Sequence, residues 1–336
     1  MTLESLARSD GSPQGWPRVG TSLQSHTGGT DRPLVIGLVN NMPDAALAAT
    51  EAQFHRLIQT AAGDRDVRLK LFSMPQIPRS EAARDAMAAR YASTETLPSA
   101  GVDALIVTGA EPLAADLRDE PYWDSLAALV DWAEASTVST IWSCLAAHAA
   151  VLHLDGIKRR PLAVKCSGVF AIERSSRHPL LKDAVRPLLV PHSRLNALAE
   201  HDLEVAGYRI VSRSTEIGVD TFVRKGASLF VFFQGHPEYD AESLMMEYRR
   251  DVRRFLRGER AIHPGVPAGY FDAAVERALA ALATKAVSHP QPSILLECSR
   301  ILAASPPQGR WMASTVQLYR NWLDLVGAGV AGRLTA

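Results

Sequence analysis

Residues 139–156 have the sequence STIWSCLAAHAAVLHLDG and contain both a strand and a helix. The apolar run at 139–144 has the length and composition of a buried strand, and the Ala-rich residues 145–154 favour a helix. Gly after Asp155 is a typical helix end. The stretch therefore predicts a strand that turns directly into a helix at Cys144, the unit from which α/β folds are built.

The same alternation of short apolar runs and helical stretches continues on both sides of this unit. Continuous apolar strands between helices predict a doubly wound, mostly parallel sheet with helices on both faces, and a ligand site beyond the carboxyl ends of the strands. The further predicted strands are 34–39, 67–72, 103–109, 205–213, 218–224 and 228–233, and the further predicted helices are 45–62, 79–100, 122–135, 270–286, 292–303 and 313–326.

Composition divides the chain into three predicted parts. Residues 1–30 are rich in Ser, Gly, Thr and Pro and predict a disordered tail. Residues 31–257 carry the α/β pattern. Residues 258–336 predict a helical C-terminal extension packed on that domain, with a loop-rich insertion at 286–310.

The bulk numbers limit the classes of partner. Lys and Arg number 36 and Asp and Glu number 36, so the sequence gives no reason to expect nucleic-acid binding. No window reaches the roughly 20 apolar residues of a membrane span, and no secretory signal is evident, so a cytoplasmic protein without membrane contact is expected. Three cysteines without a CxxC pair suit a reducing compartment. Scattered histidines and the lack of a Gly-rich nucleotide motif predict no metal site and no bound cofactor.

Three residues suggest a nucleophilic site. Cys144 lies at the start of a helix, where free amide donors and the helix dipole favour a thiolate, although a small buried cysteine fits the same position. His236 and Glu238 follow the apolar run 228–233, and in an extended chain they lie on the same side. A cysteine, a histidine and a carboxylate can form a catalytic triad.

Several further motifs accompany these residues in a characteristic order. Together the motifs resemble the homoserine O-acyltransferase family (homoserine O-succinyltransferases and O-acetyltransferases), which is class I glutamine amidotransferase-like. They are Val39-Asn40-Asn41-Met42-Pro43, Thr50-Glu51-Ala52-Gln53-Phe54, Leu105-Ile106-Val107-Thr108-Gly109-Ala110, Lys165-Cys166-Ser167-Gly168-Val169-Phe170, Pro191-His192-Ser193-Arg194, Gly235-His236-Pro237-Glu238-Tyr239-Asp240 and Glu247-Tyr248-Arg249-Arg250-Asp251.

The resemblance implies a two-step acyl transfer in methionine biosynthesis, with an acyl-CoA (acetyl-CoA or succinyl-CoA) as co-substrate and homoserine as acceptor. Cys144 would take the acyl group, His236 would remove the proton of the acceptor hydroxyl, and Glu238 would hold the imidazole. The amide of Leu145, with one from the turn at 108–111, is the expected oxyanion hole. The resemblance also implies a homodimer.

The resemblance assigns the acceptor site as well. It implies that Lys165 contacts substrate, that Arg250 binds the α-carboxylate of the amino acid and that Glu247 binds its α-ammonium group. Ser193 matches a position that influences substrate choice. From the residues alone, Lys165 fits a solvated surface position, and Glu247 with Arg250 fits an ordinary i,i+3 surface ion pair.

The acyl donor is the least determined feature. The family carries Gly in succinyl users and Glu in acetyl users shortly after Thr-Gly-Ala. Counting from Tyr122-Trp123, the equivalent here is Leu113, with Glu111 two positions earlier. A bulky Leu113 is expected to shorten the acyl pocket, which favours acetyl slightly. Lys158-Arg159-Arg160 is a candidate for the CoA phosphates and equally fits a solvated turn.

Other functions fit part of the pattern. The same chemistry could act on L-serine or another hydroxy amino acid, and the same triad could serve a glutaminase or amidase. Lys165, Glu247 and Arg250 favour the transferase. A non-catalytic binding protein would have no need of a thiol at the start of a helix.

Overall fold

The computed structural model describes residues 32–304 and 307–334, so the predicted tail at 1–30 lies outside the described residues. Strands and helices alternate over most of this range, as the sequence pattern predicts. The described elements are β1 (Leu34–Val39), α1 (Asp44–Ala62), β2 (Val67–Ser73), α2 (Glu81–Ala88), β3 (Tyr91–Ser93), β4 (Ala104–Val107), α3 (Trp123–Ser136), β5 (Ser139–Ser143), α4 (Leu145–Asp155), β6 (Arg160–Arg174), β7 (Leu188–Ala197), α5 (Glu200–Val205), β8 (Arg209–Ser214), β9 (Gly218–Lys225), β10 (Leu229–Phe233), α6 (Ser243–Leu256), α7 (Ala273–Ser288), α8 (Ser293–Ala303) and α9 (Met312–Leu334).

The strands form one sheet in the order β3-β2-β1-β4-β5-β10-β9-β8-β6-β7. The six strands from β3 to β10 are parallel, and the remaining four are antiparallel. The α/β prediction with a mostly parallel sheet is confirmed. The antiparallel edge brings β6 and β7 into the same sheet as the strand that precedes Cys144.

Alternate residues of the central strands are buried on opposite faces of the sheet. Phe230 and Phe232 of β10 pack with Trp142 on the face covered by α3 and α4. Val231 and Phe233 pack on the other face, which α1 and α9 cover. Because both faces are covered, β4 and β10 are apolar at every position, which is the pattern that the sequence shows.

The C-terminal helices belong to the core of this second face. Trp322 of α9 is fully buried, and its Nε1 donates a hydrogen bond to Ser139 Oγ of β5 at 2.9 Å. Ile294, Cys298 and Leu302 of α8 are buried in the same apolar cluster. The helix predicted at 292–303 is therefore confirmed by α8, and the prediction of a loop-rich insertion at 286–310 is wrong over Ser293–Ala303.

Three local predictions differ from the structure. The helix predicted at 79–100 ends at Ala88, because Tyr91–Ser93 pairs with the edge of β2 and residues 94–99 form a 3-10 turn. The strand predicted at 205–213 begins only at Arg209, after α5. The long β6–β7 hairpin was missed because its strands carry prolines and many exposed residues, which interrupt the apolar pattern.

In the part of the chain that the structure describes, no helix combines the length and the apolar character needed to cross a membrane.

We expect the α/β region and the C-terminal helices to unfold together, since they share one core. Replacing Trp322 by Ala should lower the free energy of unfolding by about 4 kcal/mol, the usual cost of deleting a buried large aromatic side chain. Urea titrations followed by circular dichroism and by tryptophan fluorescence would measure it. Leu296→Ala, on the exposed side of α8, is the matched control and should cost less than about 0.5 kcal/mol. Two separate transitions in the parent protein would contradict the shared core.

Candidate active site

Cys144 occupies the turn between β5 and α4 in a conformation that non-glycine residues rarely adopt. Its φ is 50° and its ψ is −109°, which costs on the order of 1–3 kcal/mol of backbone strain. Its backbone N–H donates a 2.7 Å hydrogen bond to the carbonyl oxygen of Phe233, which continues the β5–β10 pairing by one residue. A strained strand-to-helix turn of this kind is typical of nucleophiles.

His236 and Glu238 form a buried pair beside this turn. His236 Nδ1 lies 2.8 Å from Glu238 Oε1, and the same carboxylate oxygen accepts a 3.2 Å hydrogen bond from Ser143 Oγ. The ring of Tyr239 stacks on the imidazole, with 4.3 Å between ring centroids and 17° between planes. The carboxylate and the stacked ring together fix the orientation of His236.

The charge state of His236 follows from these neighbours. Burial alone would lower the pKa of the imidazole, but Cys144 and Glu238 interact with the ring through charge and hydrogen bonds and raise the pKa well above its usual value. The imidazolium form of His236 is therefore favoured beside these two groups. A cysteine next to an imidazole that is held by a carboxylate has the arrangement of a nucleophilic triad.

The C-terminal segment holds the loop that carries the histidine and the glutamate. Trp311 Nε1 donates a 2.8 Å hydrogen bond to the carbonyl oxygen of Tyr239. Thr315 Oγ1 donates one of the same length to the carbonyl oxygen of Pro237. The two bonds fix the backbone on both sides of Glu238. Sequence reasoning missed Trp311 and Thr315, because no motif marks them and they lie more than 70 residues along the chain.

Gly109, after β4, packs directly against the start of α4. A Cβ atom at residue 109 would lie 2.5 Å from Cβ of Leu145 and 3.0 Å from the backbone nitrogen of Ala146. Leu145 is the first residue of α4, so its N–H has no carbonyl partner within the helix. The structure thus places the turn after β4 against the start of α4, and these are the two elements from which the oxyanion hole is predicted. The binding of an oxyanion by their N–H groups stays a prediction.

Glu247 of α6 is surrounded by donors. Its Oε1 accepts a 2.6 Å hydrogen bond from the Tyr239 hydroxyl, and its Oε2 contacts Lys165 Nζ at 3.3 Å and accepts a hydrogen bond from Ser193 Oγ. Burial would raise the pKa of this carboxyl, but Lys165 and the two hydroxyl groups outweigh burial and lower the pKa. Glu247 is therefore a fixed negative charge in the site.

Asp251, one turn further along α6, is an acidic centre that sequence reasoning missed as a site residue. Its carboxylate contacts Lys165 Nζ at 2.9 Å, Arg260 Nη1 at 2.8 Å and Arg250 Nη2 at 3.1 Å. Burial would raise its pKa, but the three cations lower it. Arg250 thus pairs with its neighbour Asp251, and the structure shows no i,i+3 ion pair between Arg250 and Glu247. The only sequence signal was its place at the end of the Glu247–Asp251 motif.

Cys144, His236, Glu238 and Glu247 line one cavity of about 270 Å³ at the carboxyl ends of the parallel strands, whereas Asp251 lines the neighbouring hollow. This is where the α/β pattern predicts a ligand site. Of the ten residues suggested for catalysis, acceptor binding and acyl choice, nine line it: Glu111, Cys144, Leu145, Lys165, Ser193, His236, Glu238, Glu247 and Arg250.

Leu113 is the exception and corrects a prediction. Its side chain is 84% exposed and does not line the cavity. The backbone N–H groups of Leu113 and Ala114 both donate to Glu120 Oε1, at 2.6 and 2.5 Å, and this capping fixes the loop with the leucine outward. Leu113 therefore does not shorten the pocket. Glu111 does line the cavity and lies 3.6 Å from Arg254 Nη1.

Of the basic run at 158–160, only Arg159 lines the cavity; Lys158 and Arg160 are exposed. Arg160 pairs with Asp202 at 2.7 Å. Among residues 32–304 and 307–334, no group of three or more His, Cys, Asp or Glu side chains is placed to hold a metal ion.

Comparison with known proteins identifies close relatives of the chain. The family model described as HTS: Homoserine O-succinyltransferase matches residues 24–330. A homoserine O-succinyltransferase of Rhodopseudomonas palustris is 51% identical over 307 residues, which are 90% of this chain and 92% of the relative. The homoserine O-succinyltransferase of Bradyrhizobium japonicum is 50% identical over 297 residues, which are 88% of this chain and 91% of the relative.

Among solved structures, a glutamine amidotransferase of Methylobacillus flagellatus is 15% identical and superimposes with a TM-score of 0.48. The superposition covers 87% of this chain and 94% of that one.

We predict that iodoacetamide alkylates Cys144 near neutral pH and that Glu238→Gln slows the reaction by at least about tenfold. Removing the carboxylate removes one of the groups that raise the pKa of His236, so a smaller fraction of the ring is protonated and the sulfur of Cys144 loses a positively charged neighbour. Peptide mass spectrometry would follow alkylation at each cysteine. Burial raises the pKa of Cys166, and that of Cys298 to about 11, so both should react slowly.

The control for this prediction is Ser143→Ala, which removes a hydrogen bond to Glu238 and keeps the carboxylate. In this variant iodoacetamide should alkylate Cys144 at nearly the parent rate. An unchanged rate in Glu238→Gln would mean that the carboxylate does not maintain the ion pair.

Proposed function

We propose that this chain, which belongs to the homoserine O-succinyltransferase family, transfers an acyl group from an acyl-CoA to the hydroxyl of homoserine through an acyl-Cys144 intermediate. The membership confirms the resemblance predicted from the motifs. The observation that carries the proposal is the contact of Cys144 with the buried His236–Glu238 pair, in one cavity with the opposite charges of Glu247 and Arg250.

In the first step the Cys144 thiolate attacks the carbonyl carbon of the thioester. A new C–S bond forms, the bond to the CoA sulfur breaks, and CoA leaves with the proton of the His236 imidazolium. The developing oxyanion lies near the N–H of Leu145 at the start of α4. The neutral imidazole that remains is the base for the second step.

In the second step His236 removes the proton of the homoserine hydroxyl while the oxygen attacks the acyl carbon. The C–S bond to Cys144 breaks, so the thiolate and the imidazolium are both restored. Glu238 stabilises the imidazolium each time it forms. The cycle thus begins and ends with the same ion pair.

The acceptor is a zwitterion and needs two opposite charges beside the hydroxyl. Arg250, kept protonated by Asp251, suits the α-carboxylate, and the ionised Glu247 suits the α-ammonium group. Ser193 and Lys165 both contact Glu247, so they would act on acceptor choice through that carboxylate.

For the donor we propose succinyl-CoA. The named relatives are succinyltransferases, and the exposed position of Leu113 removes the reason for preferring acetyl. The acyl-CoA is a co-substrate, and no bound cofactor takes part in these steps. The product would be an O-acylhomoserine for methionine biosynthesis, and the three free cysteines suit a reducing cytoplasm.

The first test is release of the CoA thiol by purified protein. We expect release from succinyl-CoA that depends on homoserine and that is lost in Cys144→Ala, whereas controls with L-serine or without acceptor stay near background. Turnover retained in Cys144→Ala would exclude the acyl-cysteine. Release without any acceptor would indicate a hydrolase.

Arg250→Ala should raise the KM for homoserine by about 30-fold with a smaller change in kcat, because the variant loses a charge-assisted hydrogen bond to the α-carboxylate. Initial rates against homoserine concentration measure the change. Arg249→Ala, at a neighbouring position of α6, is the control. An unchanged KM in Arg250→Ala would place the α-carboxylate elsewhere.

We also propose that the chain forms a homodimer through the end of the β6–β7 hairpin. Val164, Leu195 and Ile262 are 75, 55 and 78% exposed and line one surface hollow. Light scattering after size-exclusion chromatography should give twice the chain mass, and Ile262→Glu should give monomer. Val205→Glu, equally exposed on α5, should stay dimeric. A monomeric parent protein would contradict this interface.

A further inference from the structure

The cavity contains basic side chains in two different situations. Lys165 and Arg250 both form ion pairs with Asp251, so each already contacts a carboxylate of the protein. Arg194 is occupied by backbone oxygens: its Nη1 donates to the carbonyl of Asn196 at 2.9 Å and its Nη2 to that of Ile217 at 2.6 Å.

Arg159 differs from these three. Its Nη1 is buried and has no hydrogen-bond partner among the described residues, and its Nη2 makes one long contact of 3.4 Å with the carbonyl oxygen of Ala115. Two carboxylates in its neighbourhood are engaged elsewhere. Asp116 contacts Arg118 Nη2 at 2.6 Å, and Glu120 accepts the N–H groups of Leu113 and Ala114.

Arg159 lines the same cavity as Cys144. Gly156 ends α4 in the left-handed conformation, and the chain turns there. Arg159 and His148 line the active-site cavity together, and His148 lies one helical turn after Cys144. Burial lowers the pKa of His148 to about 4, so the imidazole is uncharged and adds no cation. Arg159 and Arg194 are thus the cations whose charges act on His148, and of the two only Arg159 has a guanidinium nitrogen without a hydrogen-bond partner among the described residues.

The volume of the cavity limits which parts of the substrates it can hold. About 270 Å³ lies at or below the usual lower limit for ligand pockets, which suits an acyl group and an amino acid and leaves most of CoA outside. A succinyl group on Cys144 would therefore carry its terminal carboxylate inside the protein. A buried carboxylate requires a cation and hydrogen-bond donors, and the planar guanidinium supplies both.

We propose that Arg159 binds the terminal carboxylate of a dicarboxylic acyl group carried by Cys144 and thereby selects succinyl over acetyl donors. This inference rests on the proposed acyl transfer. Arg159 would then determine the preference for succinyl over acetyl donors. Leu113 cannot do so, because its side chain lies outside the cavity.

The test compares succinyl-CoA and acetyl-CoA as donors for the parent protein, Arg159→Gln and Arg159→Lys. Arg159→Gln should lower kcat/KM for succinyl-CoA by about 30-fold, as expected for a lost hydrogen bond to a charged group, and leave kcat/KM for acetyl-CoA within about twofold. Arg159→Lys keeps the positive charge but loses the paired N–H donors of the guanidinium. Its kcat/KM for succinyl-CoA should lie between those of the parent protein and Arg159→Gln. Arg160→Gln, the exposed neighbour, is the matched control and should keep the parent ratio.

The other possible ligands give different results. An equal loss with both donors would place a CoA phosphate at Arg159, and a raised KM for homoserine without a change in donor ratio would place the acceptor carboxylate there. Either result overturns the inference, as does a parent protein that uses acetyl-CoA better than succinyl-CoA. Intact-mass measurement of acylated Cys144, without acceptor, separates these outcomes from failure of the transfer itself. A parent protein that neither donor acylates would refute the proposed function.

Discussion

The parallel pairing of β5 with β10 is the constraint on which the site depends. Its last hydrogen bond joins the N–H of Cys144 to the carbonyl oxygen of Phe233. Because parallel strands end at the same edge of a sheet, this register brings the turn into α4 beside the loop that carries His236. The register is held by burial on both faces, with Trp142 packed on one side and Phe233 on the other. A slip of one residue would reverse those side chains and separate the nucleophile from its base.

Buried charge imposes the second constraint. Glu247 and Asp251 remain ionised because cations and hydroxyl groups surround them, and each cation is held in turn by a carboxylate. Since their pKa values are lowered in the folded protein, their contribution to stability is present above the ordinary carboxyl range and is lost as the pH falls through the lowered pKa values. A network whose charges already have partners binds a zwitterion without large rearrangement. Arg159 lies outside this balance, which is why its charge is open to a ligand.

The C-terminal helices take part in both constraints. Trp322 packs under β5, while Trp311 and Thr315 hold the carbonyl groups on either side of Glu238. The family match extends to residue 330 and so includes these positions. The segment that composition separates from the α/β domain is therefore part of the support for the candidate active site.

The sequence alone determined the α/β class, the turn at Cys144 and the residues that meet around it. Local periodicity specifies the class and the turn, since strands buried on both faces are largely apolar, and Cys144, His236 and Glu238 follow strand ends directly. The residues of the acceptor site came from the resemblance of the motifs to a known family. Only the tertiary structure decided the rest. The strand at Tyr91 exists through its pairing with β2, Leu113 faces outward because Glu120 caps its loop, and Asp251 and Arg159 acquire their roles from partners far along the chain. Such features depend on which distant residues form the hydrogen bonds and ion pairs of each group. The local sequence pattern does not specify those partners.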